Sequence, residues 1–141
     1  MTRPEGASPL SRRIPGASAV RAEDAFDVEA VAAWLRSIPP ADPTVLAGTD
    51  LGDDDEPVIP EVSQFSGGAS NLTYVLRYPG VDLVMRRPPA GTKARGAHDM
   101  KREYRVQAAL RAVYPLVPRM VGLCEDHSVI GSDFYVMERV E

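Results

Sequence analysis

Two adjacent glycines, Gly67 and Gly68, separate two runs of strand-forming residues, and this arrangement restricts the fold more than any bulk property does. The run before them carries Val62 and Phe65, and the run after them extends from Thr73 to Tyr78. Two such runs joined by a short Gly-rich link read as antiparallel strands around a turn. Adjacent glycines accept positive φ and let a ligand approach the backbone closely. Successive N–H groups in such a turn can also form a concave anion site. The dipeptide alone fits an ordinary hairpin equally well, so the rest of the chain must separate the two readings.

The sequence from Glu61 onward keeps the same texture. Glu61–Ser66, Thr73–Tyr78 and Val81–Arg87 read as three strands of an antiparallel meander, with Pro79-Gly80 as the compact second turn. Pro88-Pro89 ends the third strand, and a loop rich in Gly, Lys and Arg follows over residues 90–97. The spacing predicts a helix over Asp99–Val113, capped by Asp99 and ended by Tyr114-Pro115. Arg119–Cys124 and Phe134–Val140 then read as two further strands. The expected fold class is α+β, a five-stranded antiparallel sheet with one packed helix.

Upstream, residues 1–22 are dominated by Pro, Ser, Gly, Ala and Arg without periodicity and read as a disordered tail. Arg3, Arg12, Arg13 and Arg21 give it a faint likeness to a transit peptide, but the apolar stretch of a secretory signal is missing. Residues 23–60 read as a helix and connector. The helix is expected over Asp24–Ile38, with Val28, Val31, Leu35 and Ile38 in one stripe, Asp24 or Asp27 as cap, and Pro39-Pro40 as stop. The connector carries Asp53-Asp54-Asp55-Glu56, which lacks the spacing of a calcium loop and reads as a solvated acidic turn.

Composition removes several functions. The 141 residues suit one domain, and the formal net charge of -4 argues against a general nucleic-acid binder. The basic series Arg86, Arg87, Lys93, Arg95, Lys101, Arg102 and Arg105 has few aromatic neighbours. No apolar run approaches the roughly 18 residues of a membrane helix. The single cysteine, Cys124, cannot form an internal disulfide, so a cytoplasmic setting is expected. Cys124 itself reads as a core residue beside Glu125 and Asp126, and no hydrolase elbow surrounds Ser66 or Ser70.

One residue conflicts with simple amphipathicity. Met100, Val106, Leu110 and Val113 form the apolar stripe of the second helix, and Glu103 falls in the middle of it. An inward carboxylate costs several kcal/mol unless a cation pairs with it. The strand Val81–Arg87 supplies candidates, with Leu83, Met85 and Arg87 on one face and Val84 and Arg86 on the other. Arg86 is the expected partner, with Arg87 as the alternative. A wet helix edge for Glu103 and a surface Arg86 is the bland reading. The order is glycine turn, cationic third strand, helix with an inward Glu, then two strands. It matches the nucleotide-binding N-terminal lobe of protein-kinase-like enzymes.

At the level of motifs the chain resembles the aminoglycoside phosphotransferase family. The resemblance rests on Phe65-Ser66-Gly67-Gly68-Ala69-Ser70-Asn71-Leu72-Thr73-Tyr74, Leu83-Val84-Met85-Arg86-Arg87-Pro88-Pro89, His98-Asp99-Met100-Lys101-Arg102-Glu103-Tyr104, Val117-Pro118-Arg119 and Phe134–Glu141. The details look most like the branch related to proteins fused to, or associated with, acyl-CoA dehydrogenases. The resemblance covers about residues 60–141. It implies a kinase-like lobe over 61–141 that binds ATP or GTP with magnesium. By this resemblance Ser66, Gly67, Gly68, Ala69, Ser70 and Asn71 cover the nucleotide. Val84 lies over adenine, Arg86 contacts phosphates and Glu103 holds Arg86. Met137 backs the adenine pocket, and Glu138 to Val140 form the hinge.

Two departures accompany the resemblance. Arg86 stands where kinases carry a lysine. The sequence also stops at Glu141, at the expected hinge, and contains no His-Gly-Asp-type loop. The family's catalytic Asp, its neighbouring Asn and its magnesium-binding Asp come later. The expectation is therefore half an active site, inactive alone, with the metal ligands and the pocket for a small-molecule hydroxyl acceptor in a catalytic lobe outside this chain. Pairing with a chain that carries that lobe is the further expectation, and the branch leans toward hydroxyacyl-type acceptors.

Overall fold

In the computed structural model the described residues are Ile14, 16–65, 71–89 and 94–140, with the backbone alone for 94–99. Six strands form one antiparallel sheet: β1 (Ala17–Ser18), β2 (Glu61–Phe65), β3 (Leu72–Tyr78), β4 (Val81–Arg87), β5 (Met120–Cys124) and β6 (Phe134–Glu138). Their spatial order is β1-β2-β3-β4-β6-β5. Three α-helices accompany them: α1 (Val28–Ser37), α2 (Ala94–Arg111) and the single turn α3 (His127–Ile130). The α+β class and the antiparallel sheet are as expected, with six strands in place of five.

The added strand corrects the tail reading for residues 16–22, while residues 1–13 and 15 lie outside the described residues. Ala17 pairs with Phe65 and Ser18 with Gln64, so the chain from Gly16 onward is built onto the edge of β2. The backbone N–H of Arg21 also donates to Gln64 Oε1 at 3.0 Å. Two residues of strand leave no alternation to read in a sequence.

The alternation of β3, β4 and β6 divides the sheet into two faces. On one face Tyr74, Leu76, Tyr78, Leu83, Met85, Phe134 and Val136 are buried. The helix α1 covers this face. Asp27 starts it by accepting the N–H of Ala30 at 3.0 Å, which decides between the two expected caps. Val31 and Leu35, four residues apart, join the buried cluster with Val45 of the connector. Each fully buried side chain of this size contributes about 1.5–3 kcal/mol. Trp34 meets Phe134 edge to face at 4.9 Å between ring centres. Gly122 makes this approach feasible. A Cβ there would lie 2.7 Å from Ile38 Cδ1 and 3.3 Å from the Trp34 ring.

The turn between β3 and β4 falls at Pro79-Gly80, and Gly80 has φ +96°, a conformation that favours glycine. The acidic connector closes as a local turn, in which Asp53 Oδ1 accepts the N–H groups of Asp55 and Glu56. Cys124 is buried, and desolvation raises its thiol pKa.

The helix α2 differs from its expected form at both ends. It begins at Ala94, so Asp99 lies inside it rather than at its cap. Met100 is fully buried, but Val106 is 51% and Val113 67% exposed, and Leu110 is exposed as well. The expected stripe therefore buries only at its start. Met100 is packed under the sheet side of α2, and Val106 and Leu110 stay open beside Arg86 of β4.

Candidate functional site

The second sheet face carries the candidate site. In β3, β4 and β6, directly paired residues stand side by side on one face. Thr73, Arg86 and Tyr135 form one row, and Val75, Val84 and Met137 form the adjacent row. A polar, cationic row thus lies next to an apolar one. Val75 and Tyr135 are fully buried, Val84 keeps slight exposure, and Met137 is half-buried.

Arg86 and Glu103 meet as expected, with Nη1 to Oε1 at 3.0 Å. Their side chains are 23% and 30% exposed, so the pair stands at the mouth of the fold rather than in its core. Glu103 has two further partners. The Tyr135 hydroxyl donates to its Oε1 at 2.9 Å, and the Asn71 amide donates to its Oε2 at 2.6 Å. One carboxylate thus gathers groups from β4, β6 and the residue just before β3. Tyr135 also lies 3.5 Å from Arg86 Nη1, and Tyr104 of α2 packs edge to face on its ring. Burial pushes the Tyr135 hydroxyl up to about 12, so it stays a neutral donor. The Arg86 charge opposes that shift, and the Glu103 charge adds to it.

Arg86 retains unused capacity. Its Nε is buried and has no hydrogen-bond partner among the described residues. A cavity of about 320 Å³ opens beside the pair, lined by Arg86, Arg102, Glu103, Val106, Gln107 and Leu110. Two guanidinium groups and an apolar helix edge border this space, which suits an anionic ligand with an apolar part.

Arg87, the alternative partner, points to the opposite face. Its Nη2 donates to the Asp24 carbonyl at 2.8 Å, and its Nε donates to the Tyr74 hydroxyl at 3.1 Å. Its guanidinium carbon lies 5.5 Å from the centre of the Phe26 ring and 5.6 Å from that of Tyr74. Arg86 and Arg87 of the basic series therefore stand on opposite faces.

At the expected hinge, Glu138 is tied to Arg119. Arg119 Nε donates to Oε1 at 2.9 Å, Nη2 donates to Oε2 at 2.8 Å, and the Arg119 N–H donates to Oε1 at 2.8 Å. These bonds, chiefly from the guanidinium, hold the Glu138 carboxyl below the usual range. The Glu138 N–H donates to the Arg119 carbonyl, and the Arg139 N–H to the Asp82 carbonyl.

Ser66, Gly67, Gly68, Ala69 and Ser70 lie outside the described residues. Asn71 is described, and its amide is engaged with Glu103 instead of pointing toward a ligand. Sequence reasoning missed Tyr135. The available signal was its place in the same strand row as Arg86, because a buried Tyr hydroxyl needs a polar partner. Among the described residues, no three His, Cys, Asp or Glu side chains gather to hold a metal ion.

A family model described as "Phosphotransferase enzyme family" matches residues 61–141. The chain belongs to the APH phosphotransferase family. Relatives extend the likeness. Acyl-CoA dehydrogenase family member 11 of Gallus gallus is 37% identical over 127 residues, covering 90% of this chain and 15% of that protein. Acyl-CoA dehydrogenase family member 10 of Mus musculus is 45% identical over 78 residues, covering 55% of this chain and 7% of that protein. The fold matches the crystal structure of "a putative aminoglycoside phosphotransferase" from Ralstonia eutropha, with a TM-score of 0.59 and 38% identity. That match covers 83% of this chain and 29% of the solved chain. The chain thus spans a small part of each APH relative, and the sheet with its Arg86–Glu103 pair corresponds to a kinase-like N-lobe.

Proposed function

We propose that this chain is the nucleotide-binding portion of an ATP-dependent small-molecule phosphotransferase that transfers a phosphoryl group to a hydroxyl. GTP is the alternative donor. The supporting observation is Arg86 held at 3.0 Å by Glu103, in a strand row adjoining the apolar row of Val84 and Met137. An adenine ring fits the apolar row, and phosphate oxygens fit the cationic one. A guanidinium bordering the cavity beside Glu103 offers fork donors that suit a phosphate. Glu103 keeps the guanidinium oriented, and Tyr135 and Asn71 keep Glu103 oriented. Because Glu138 and Arg139 donate their N–H groups within the sheet, the hinge donor to adenine is assigned to Val140.

Bound ATP supplies the phosphoryl group. The residues here bind and orient it, and Ser66 to Ser70 complete its cover in this reading. Magnesium ligands and the acceptor pocket are assigned to the remainder of the family domain. A hydroxyacyl-type alcohol is the acceptor class favoured by the acyl-CoA dehydrogenase names of the relatives. Among the described residues no helix is long and apolar enough to cross a membrane, and a cytoplasmic site is proposed. The test is phosphate transfer from labelled ATP by a version extended through the following lobe, with Arg86→Ala as control. Equal activity in the control would sink the role of Arg86.

The exposed Val106, Val113 and Leu116 favour a second reading, a non-catalytic module that pairs with another chain. A monodisperse monomer that binds no apolar dye would remove it.

A further inference from the structure

The family match begins at Glu61, but the sheet begins at Ala17. The stretch from Gly16 to Phe26 touches each of the first three family strands. Ala17 pairs with Phe65, the last residue of β2. Gln64 beside it is 1% exposed and receives the Arg21 N–H. The Gln64 amide donates to Asp24 Oδ2 at 2.9 Å, and Arg21 Nε donates to the same oxygen at 2.8 Å. On β3, the Tyr74 hydroxyl donates to the Asp24 carbonyl at 2.7 Å. On β4, Arg87 donates to the carbonyls of Asp24 and Ala25. Phe26 packs edge to face on Tyr74 at 4.8 Å.

These contacts converge on one end of the sheet. Phe65 and Leu72 bound the glycine-rich segment in sequence, and Arg87 adjoins Arg86. A buried polar network with every member bonded favours one arrangement over near alternatives. A strand is stiff over adjacent residues, so fixing Arg87 from one face limits where Arg86 can stand on the other. Simple sealing of an apolar face would need neither a side-chain carboxylate nor a fork on two carbonyls.

We propose that Gly16–Phe26 is a positioning element for the nucleotide site, in which Asp24, acting through Gln64, Tyr74 and Arg87, sets Arg86 and the strand ends around the glycine-rich segment. This rests on the nucleotide-binding reading above. None of the three intermediaries reaches the ligand face, so Asp24 acts from behind the sheet.

The test measures MgATP affinity calorimetrically on the full chain, well below the melting temperature of every variant. Asp24→Ala removes the carboxylate, and Tyr74→Phe removes only a hydroxyl, so the second remains usable if the first fails to fold. Each is expected to weaken binding about five- to tenfold, the size of a coupled-pair effect. Asp24→Asn is expected to recover most of the loss. In an Arg86→Met background the same changes are expected to add nothing. Unchanged affinity with a lowered melting temperature would overturn the inference and leave the segment a cover. If the parent chain binds no MgATP, nucleotide binding by this chain alone is ruled out, and amide exchange decides the positioning claim. Tyr74→Phe should then speed exchange at Phe65, Thr73 and Arg86 relative to β5 and β6. Uniform exchange across the sheet would refute it.

Discussion

Arg86 and Arg87 are neighbours in sequence and stand on opposite faces of β4: Arg86 bonds Glu103 at 3.0 Å, while Arg87 bonds the carbonyl of Asp24 at 2.8 Å. The strand period of two separates a site residue from a residue that holds the fold together. Their substitutions should diverge. Arg87→Met leaves two carbonyls and a phenol short of a donor and should cost about 2–4 kcal/mol in urea unfolding. Arg86→Met should cost about 1 kcal/mol or less, because its ion pair is partly solvated, yet weaken nucleotide binding about tenfold while leaving it measurable. Equal stability losses would contradict this division.

Acid should unfold the protein partly through Glu138. Its folded pKa lies below its ordinary value of 4.5, first because Arg119 bonds the ionised form. The associated stability is present above the unfolded pKa and is lost as pH falls through the folded one. Glu138→Gln should lower stability by about 1–3 kcal/mol at neutral pH, and the gap from the parent should close as pH falls below about 4. Asp24, held down chiefly by the Gln64 amide, should preserve part of the acid limb in that variant. Chemical denaturation at a series of pH values checks this.

Alkaline titration should find late tyrosines, with Tyr78 and Tyr135 the latest and Tyr74 and Tyr104 also raised by burial. Burial raises both Tyr78 and Tyr135 to about 12. A folded pKa above the unfolded value stabilises the native state below the unfolded pKa, and the advantage is lost as pH rises through the folded one. Ultraviolet titration should therefore show late ionisation accompanied by unfolding, and Tyr135→Phe should remove one late group. Ionisation of every tyrosine near 10 would contradict the burial.

Gly122→Ala should lower stability by about 1–3 kcal/mol through overpacking against Ile38 and Trp34. Ile38→Ala in the same chain should recover part of the loss, because the nearest clash is with a side-chain end. Thermal melts of the single and double variants measure this. Simple additivity of the two changes would show that the clash is not shared.

The sheet, α1 and the Arg86–Glu103 pair were legible because each follows a local period. Period two set the faces of β4, helical spacing set the Val31 and Leu35 stripe, and a carboxylate among apolar positions called for a cation. The rest depends on contacts distant in sequence. Ala17–Ser18 forms a strand only because β2 offers it an edge. Asn71 turns to Glu103 because a carboxylate from α2 stands there, which nothing around Asn71 announces. Val106 stays exposed at the cavity beside Arg86 and Val113 lies past the end of α2, and no wheel projection contains either. Tyr135 was hidden in an ordinary alternating strand, and its role emerges only once Arg86 is seen beside it.

The helix over the back of the sheet also bears on biosynthesis. The ribosome releases α1 well before β3, β4 and β6, whose apolar face it covers. As those strands pair, their cover is already outside the tunnel, and the Leu76–Leu83–Val136 surface has little time bare in water. A polypeptide beginning at Glu61, where the family match starts, would lack that cover and should collect with chaperones or in inclusion bodies. The stretch matched by the family model is thus shorter than the stretch that covers its own apolar face.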